Sequence, residues 1–216
     1  MTDVVPMEYP FYYACLIAVI LAWLGFALAF VVFRPRTPPA ATAPAALPDV
    51  TKSAPRTRDR RSLLGVTLQG VGYGVMWFAP RPPFPSLSKL PGPLALLIAV
   101  LAVALAWACA GFAFWAQRTL GKEWSFSARL VEGHRLVTSG PYAIVRHPIY
   151  ASMLGMWIAT GLAVARPWNI ALGLVPMLAG TAIRVKSEDG LLRGAFGETF
   201  EAWAKRVPGL IPGYRI

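Results

Sequence analysis

A chain of 216 residues with 56% apolar and only 14% charged side chains carries too little charge for an ordinary water-soluble domain, so its composition points to an integral membrane protein. The net charge of +11 does not indicate a nucleic-acid partner, because the 21 Lys and Arg lie between apolar runs rather than along one element. Cys15 and Cys109 both fall inside apolar runs, where a thiol acts as a small hydrophobe, and no Cys/His spacing suggests a metal.

The first apolar run, 11–33, is 23 residues without a charge, enough to cross a bilayer as a helix. It has no basic flank on its N-terminal side and is too long for the core of a cleaved leader. Tyr9, Phe11, Tyr12 and Tyr13 form an aromatic belt at its outer end. Residues 34–61 change character: they are rich in Pro and Ala, hold seven Lys/Arg and show no apolar period, as a disordered linker does. This divides the chain into an N-terminal helix (1–33), a linker (34–62) and a four-helix core (63–216).

The second span, 63–79, is rich in glycine, and Gly70 and Gly74 have the spacing of close helix packing. Gln69 and Tyr73 on it need polar partners inside the bundle. A proline-punctuated loop (81–93) leads to the third span, 94–117, with 24 uncharged residues. A polar connector (118–148) follows. Two further runs, 149–165 and 168–183, are separated only by Arg166 and Pro167, so they are expected to form a helical hairpin. Beyond them Leu192, Phe196, Phe200, Trp203 and Val207 recur at helical spacing. They predict an amphipathic tail helix that lies on the membrane surface or folds over the connector, and Pro208 ends it. The expected fold is all-α, a polytopic membrane protein with about five transmembrane helices. With five spans, linker, connector and tail share one side and hold eighteen of the 21 basic residues. The positive-inside rule then places the N-terminus outside, and the C-terminus and connector in the cytoplasm.

Both histidines of the chain lie in 134–150, with Arg135, Tyr142, Arg146 and Tyr150. The hairpin brings Arg146, His147 and Tyr150, at the start of the fourth span, level with Arg184 and Glu188, where the fifth leaves the bilayer. Arg184 and Glu188 are four apart and share a helix face. On their own they read as an interfacial ion pair worth little. Together with Arg146, His147 and Tyr150 they make a cluster that is costly at a bilayer boundary unless paired or used. Such a cluster suits a zwitterionic ligand: a guanidinium grips a carboxylate, and a carboxylate holds an ammonium. Taken singly, His134 reads as a surface residue and Tyr142, after Ser139-Gly140-Pro141, as packing at a turn.

Gly121-Lys122-x-Trp124-Ser125, then His134-x-Leu136-Val137-Thr138-Ser139-Gly140-Pro141-Tyr142, then Arg146-His147-Pro148-x-Tyr150 resemble the isoprenylcysteine carboxyl methyltransferase family, which is itself similar to phospholipid N-methyltransferases. The resemblance continues through Arg184-x-x-x-Glu188-Asp189-x-x-Leu192 and Phe196-Gly197-x-x-Phe200-x-x-Trp203, and closes with Val207-Pro208-x-x-Ile211-Pro212. It runs from about Leu94 to the C-terminus and leaves out the first span and the linker. It implies S-adenosylmethionine as cofactor, bound at the cytoplasmic face, and a lipophilic or prenylated acceptor that enters from the bilayer. By position, His134, Leu136, Val137, Gly140, Tyr142, Arg146, His147, Pro148, Tyr150 and Glu188 would line the cofactor site. Arg184 and Glu188 would be catalytic, at the point where methyl donor and acceptor meet. The family often has Tyr at both aromatic positions of the tail, where this chain has Phe200 and Trp203, and its second acid is commonly Glu where Asp189 stands here.

Methyl transfer from a sulfonium needs alignment and exclusion of water more than activation. A carboxylate acceptor would be oriented by Arg184; an amine or thiol acceptor would need a base, for which Glu188 is the nearest candidate. Two other functions compete: an NADPH-dependent membrane reductase of isoprenoids or sterols, and a non-catalytic protein that keeps the fold. The reductases resemble this chain at the C-terminal end, but typically read R-H-P-N-Y followed by G-E or G-D, against Arg146-His147-Pro148-Ile149-Tyr150-Ala151-Ser152 here. High Ala, Arg and Pro content suits a GC-rich bacterium, hence an inner-membrane location.

Overall fold

Uncharged runs of this length can satisfy their backbone away from water only as helices. A computed structural model of the chain describes residues 9–31, 61–78, 84, 87, 90–121 and 135–213. Among them are five long helices: α1 (Tyr9–Val31), α2 (Arg61–Met76), α3 (Gly92–Leu120), α4 (Pro148–Val164) and α5 (Pro167–Arg206), with a short 3-10 turn at Gly140–Ala143. No strand occurs among the described residues. By length and composition α1, α3 and α5 can cross a membrane; α4 is apolar but shorter. The linker up to residue 60, most of the 81–93 loop, residues 122–133 and His134 lie outside the described residues, and the last two linker positions, Arg61 and Ser62, already belong to α2.

α3 is the centre of one layer. Ala95, Ala99, Ala102, Ala106, Ala110 and Ala113 form a buried stripe at three- and four-residue spacing. With only methyl groups in the way, two helices approach it closely. α1 brings Cys15, Val19, Ala22, Phe26 and Ala29, and α4 brings Met156, Ala159 and Ala163. α1 is thus packed into the bundle. Its Trp23 donates to Thr160 Oγ1 on α4 at 2.8 Å and meets the Tyr73 ring on α2 edge-on at 5.1 Å. Tyr73 in turn donates to Met153 O at 2.7 Å, the partner its place in an apolar run demanded.

α2 packs antiparallel on α5 through glycines, but not those expected. A Cβ on Gly65 would stand 2.8 Å from Gly180 O, and one on Gly72 would stand 3.0 Å from Gly173 O. The contact therefore repeats every seven residues on each helix. Gly70 and Gly74, whose spacing suggested the interface, face outward with open space around them. The four-residue spacing is real, but the face that α5 covers is the one carrying Gly65, Gln69, Gly72 and Met76, opposite Gly180 and Gly173.

The expected hairpin is splayed. Ala165 and Arg166 make the turn, yet α4 packs mainly on α3 and α5 mainly on α2. Trp157 lies in the gap. Its indole packs against Gly173 and donates to Gly72 O at 3.1 Å, within a cluster with Met76, Ala165 and Met177. The last span and the tail also form one element. α5 runs 40 residues and breaks once, at Gly197, which has φ +49° and ψ −123°. On both sides of that break the stripe Leu192, Phe196, Phe200, Trp203 and Val207 packs on Leu136, Val137 and Tyr142, so the tail covers this described part of the connector.

Replacing Gly180 by alanine forces a Cβ to within 2.6 Å of Gly65 O and 2.8 Å of Gln69 N, both backbone atoms. Overpacking of this kind costs about 1–3 kcal/mol. Gly70→Ala meets nothing and is expected to leave stability unchanged or raise it by about 0.5–1 kcal/mol, the helix preference of alanine over glycine. Melting temperatures in detergent check the contrast; equal effects would rule out the assigned interface.

Candidate active site

The end of the bundle where α4 begins and the apolar part of α5 stops gathers the charged side chains. Pro148 opens α4 at its first turn, where a missing N–H costs nothing, and His147 stands just before it. His147 is 5% exposed. Its Nε2 lies 2.8 Å from Asp189 Oδ1 and its Nδ1 lies 3.5 Å from Glu188 Oε2. Burial opposes a charge on the ring, but hydrogen bonds to Asp189 and Glu188 and the field of both carboxylates outweigh it, raising the pKa to about 9. The ring is therefore an imidazolium at neutral pH, bridging two consecutive acids. Tyr150, one turn further, stacks on His147 and donates to Glu188 Oε1.

Arg146 anchors the tail. Its guanidinium donates to Ala204 O at 3.1 Å, Val207 O at 2.6 Å and Asp189 Oδ2 at 3.1 Å. Its backbone N–H donates to Pro208 O at 2.8 Å and that of His147 to Gly209 O at 3.0 Å. The residues after α5 are thereby stitched to the connector. Trp203 adds a donor, its indole N–H reaching Tyr142 O at 3.3 Å, so an aromatic position that lacks a tyrosine hydroxyl still makes a polar contact.

Arg184 is 7% exposed. Its guanidinium lies 4.8 Å from the centre of the Tyr150 ring, a cation–π contact, and Nη1 donates to Gln69 Oε1 at 3.3 Å. Glu188 is the more open acid: its side chain is 28% exposed against 13% for Asp189.

Arg146, His147, Tyr150, Arg184 and Glu188 therefore do meet. Pro148 is buried as the first residue of α4. Leu136, Val137 and Tyr142 sit together in the apolar cluster under the tail. Burial, then the negative charge of nearby Glu188, push the Tyr142 phenol above its ordinary range. Gly140 has a conformational reason to be glycine, with φ +61° and a Cβ position 3.1 Å from Thr119 Oγ1. His134 falls outside the described residues. Two residues beyond the expected set belong to the cluster. Asp189 holds Arg146 and His147; its place in the acidic pair marked it but not its partners. Gln69 reaches Arg184 from α2, and its signal was a lone amide in an apolar helix. Among the described residues no group of three His, Cys, Asp or Glu could hold a metal ion.

Residues 98–193 match the family model described as the isoprenylcysteine carboxyl methyltransferase (ICMT) family. Protein-S-isoprenylcysteine O-methyltransferase B of Arabidopsis thaliana is 33% identical over 84 residues, 39% of this chain and 43% of that protein. The protein-S-isoprenylcysteine O-methyltransferase of Schizosaccharomyces pombe is 32% identical over 79 residues, 37% of this chain and 34% of that one. The cobalt-zinc-cadmium resistance protein CzcN of Cupriavidus metallidurans is 32% identical over 124 residues, 56% of this chain and 50% of that one. The chain thus spans about half or less of the length of these relatives. The match takes in α3 from Ile98, the connector, α4 and α5 up to Arg193, and over that segment the chain is similar to the isoprenylcysteine carboxyl methyltransferase family.

Proposed function

We propose that this chain is a membrane methyltransferase that uses S-adenosylmethionine and methylates a lipophilic acceptor of the isoprenylcysteine carboxylate class. The observation that carries this reading is the cluster of His147, Tyr150, Arg184 and Glu188, which puts an open carboxylate and a fixed guanidinium at one end of an apolar bundle. The donor set fits the cofactor. Glu188 offers a negative charge to its cationic groups, and Leu192, one helical turn on, belongs to an apolar cluster with Tyr142, Leu136 and Val137 suited to a flat base. S-adenosylmethionine, when bound, supplies a methyl group already activated on a sulfonium. What the chain adds is order. Glu188 holds positive charge, kept in place by Tyr150 and His147. Arg184 orients an acceptor carboxylate, which needs no base. The tail, held by Arg146 and Trp203, keeps water out. With an amine or thiol acceptor Glu188 would take the proton.

The charge distribution supports five spans with the site in the cytoplasm, and the composition supports a bacterial inner membrane. Isothermal calorimetry on the detergent-purified full chain tests the reading. S-adenosylmethionine is expected to bind and NADPH not to. Binding of NADPH alone would establish the reductase instead, and binding of neither by folded protein would overturn the proposal.

A further inference from the structure

Helix α2 lies outside the segment that matches the family, yet it touches the proposed acceptor clamp directly. Gln69 is 2% exposed, and its orientation is set by a short chain of donors. Thr181 Oγ1 donates its one hydrogen to Met177 O at 2.8 Å. That hydroxyl can then only accept from Gln69, so the group 3.0 Å away is the amide N–H of Nε2. Oε1 is thereby turned toward Arg184 Nη1 at 3.3 Å. Gly65, one turn earlier on the same face, lets α2 close over the stem of Arg184; a Cβ there would stand 2.6 Å from Arg184 Cγ. The Tyr150 ring takes the guanidinium face, and the Tyr150 hydroxyl reaches Glu188. Arg184 is thus gripped at its stem, on its face and at one nitrogen.

We propose that Gln69, locked by Thr181, is a positioning residue that aims Arg184 at the acceptor carboxylate. This rests on the proposed function. Thr181 holds Nε2, so Oε1 is the end of the amide left to face Arg184. A positioning amide must present its oxygen there, because a flipped amide would set N–H groups against a guanidinium that has donors only.

The test uses the full chain in detergent, with S-farnesylcysteine as the carboxylate probe. Calorimetry gives S-adenosylmethionine affinity, transfer kinetics give kcat and KM for the probe, and thermal melting reports folding. Gln69→Met should lower kcat/KM about tenfold, the loss typical of a hydrogen bond to a charged group, with S-adenosylmethionine affinity within about twofold of wild type. Thr181→Val should lose in the same direction but less, and add nothing on top of Gln69→Met. Gln69→Glu keeps an oxygen toward Arg184 and should recover most of the activity. The inference is overturned if Gln69→Met transfers like wild type, or if cofactor affinity and transfer fall together. If Gln69→Met does not fold, Thr181→Val decides alone, and wild-type kinetics there overturn the inference. A wild type that binds no S-adenosylmethionine or leaves the probe unmethylated sinks the underlying reading, and this inference with it. So does an Arg184→Lys variant that transfers normally. Wild-type transfer with an unaffected Gln69→Met sinks the inference alone.

Discussion

Glu188→Gln is expected to lower methyl transfer by about a hundredfold or more, the scale on which enzymes lose rate when one electrostatic contact to the reacting charge is removed. The amide keeps the size of the side chain and an oxygen for the Tyr150 hydroxyl, so the helix ends should stay in place. What it removes is negative charge at the more open acid of the cluster, with its side chain 28% exposed. Cofactor affinity should fall with rate, because the proposed role is to hold a cation. The His147 ring loses one of two carboxylate neighbours but keeps Asp189 at 2.8 Å, so folding should change little. Calorimetry and radiolabel transfer on the same preparation check this. Full affinity in Glu188→Gln would remove Glu188 from the cofactor site. Full affinity with lost turnover would move it to proton transfer, and an acceptor that is an amine or thiol would follow.

The helices are legible because each is built on an apolar run without charge, and such a run has one backbone solution in a bilayer. The meeting of His147 and Tyr150 with Arg184 and Glu188 is legible for a related reason. A two-residue turn between α4 and α5 forces their far ends to the same level, even though Trp157 holds the middles apart. Interface choice on α2 is not legible. Gly65, Gly70, Gly72 and Gly74 offer several small-residue faces, and the selection is made by what α5 presents, Gly173 and Gly180 seven residues apart. The division of labour between the two acids is hidden as well. Glu188 and Asp189 are adjacent in sequence and nearly alike in chemistry. Only the turn of the helix aims one at Tyr150 and the other at Arg146. Gln69 is a special case: that it needed a partner follows from hydropathy, but naming Thr181 and Arg184 requires the antiparallel register of α2 on α5.

Asp189→Ala should damage the fold rather than the chemistry, by about 3–5 kcal/mol, because it leaves two buried cations each short of a partner. The side chains involved are 13% exposed for Asp189, 11% for Arg146 and 4% for His147, so water screens little of the loss. Arg146 would still hold Ala204 O and Val207 O, but without the carboxylate that balances its charge. Hydrogen exchange should therefore quicken over 204–209, where the tail is stitched to Arg146 and His147. The pH dependence gives a second, independent sign. In the native protein His147 has a pKa of about 9 against 6.5 for the free side chain. A raised pKa means that the folded state binds the proton more tightly, so this stabilisation is complete below about pH 6.5 and disappears as pH rises through about 9. Wild-type melting temperature should fall across that window. In Asp189→Ala one of the two acids that raise the pKa is gone, so the curve should start lower and run flatter. Asp189→Asn keeps an acceptor for one of the two donors and should lie between them. A variant that melts as wild type does, with the same slope in pH, would mean that the imidazolium and Arg146 are held by something other than this carboxylate.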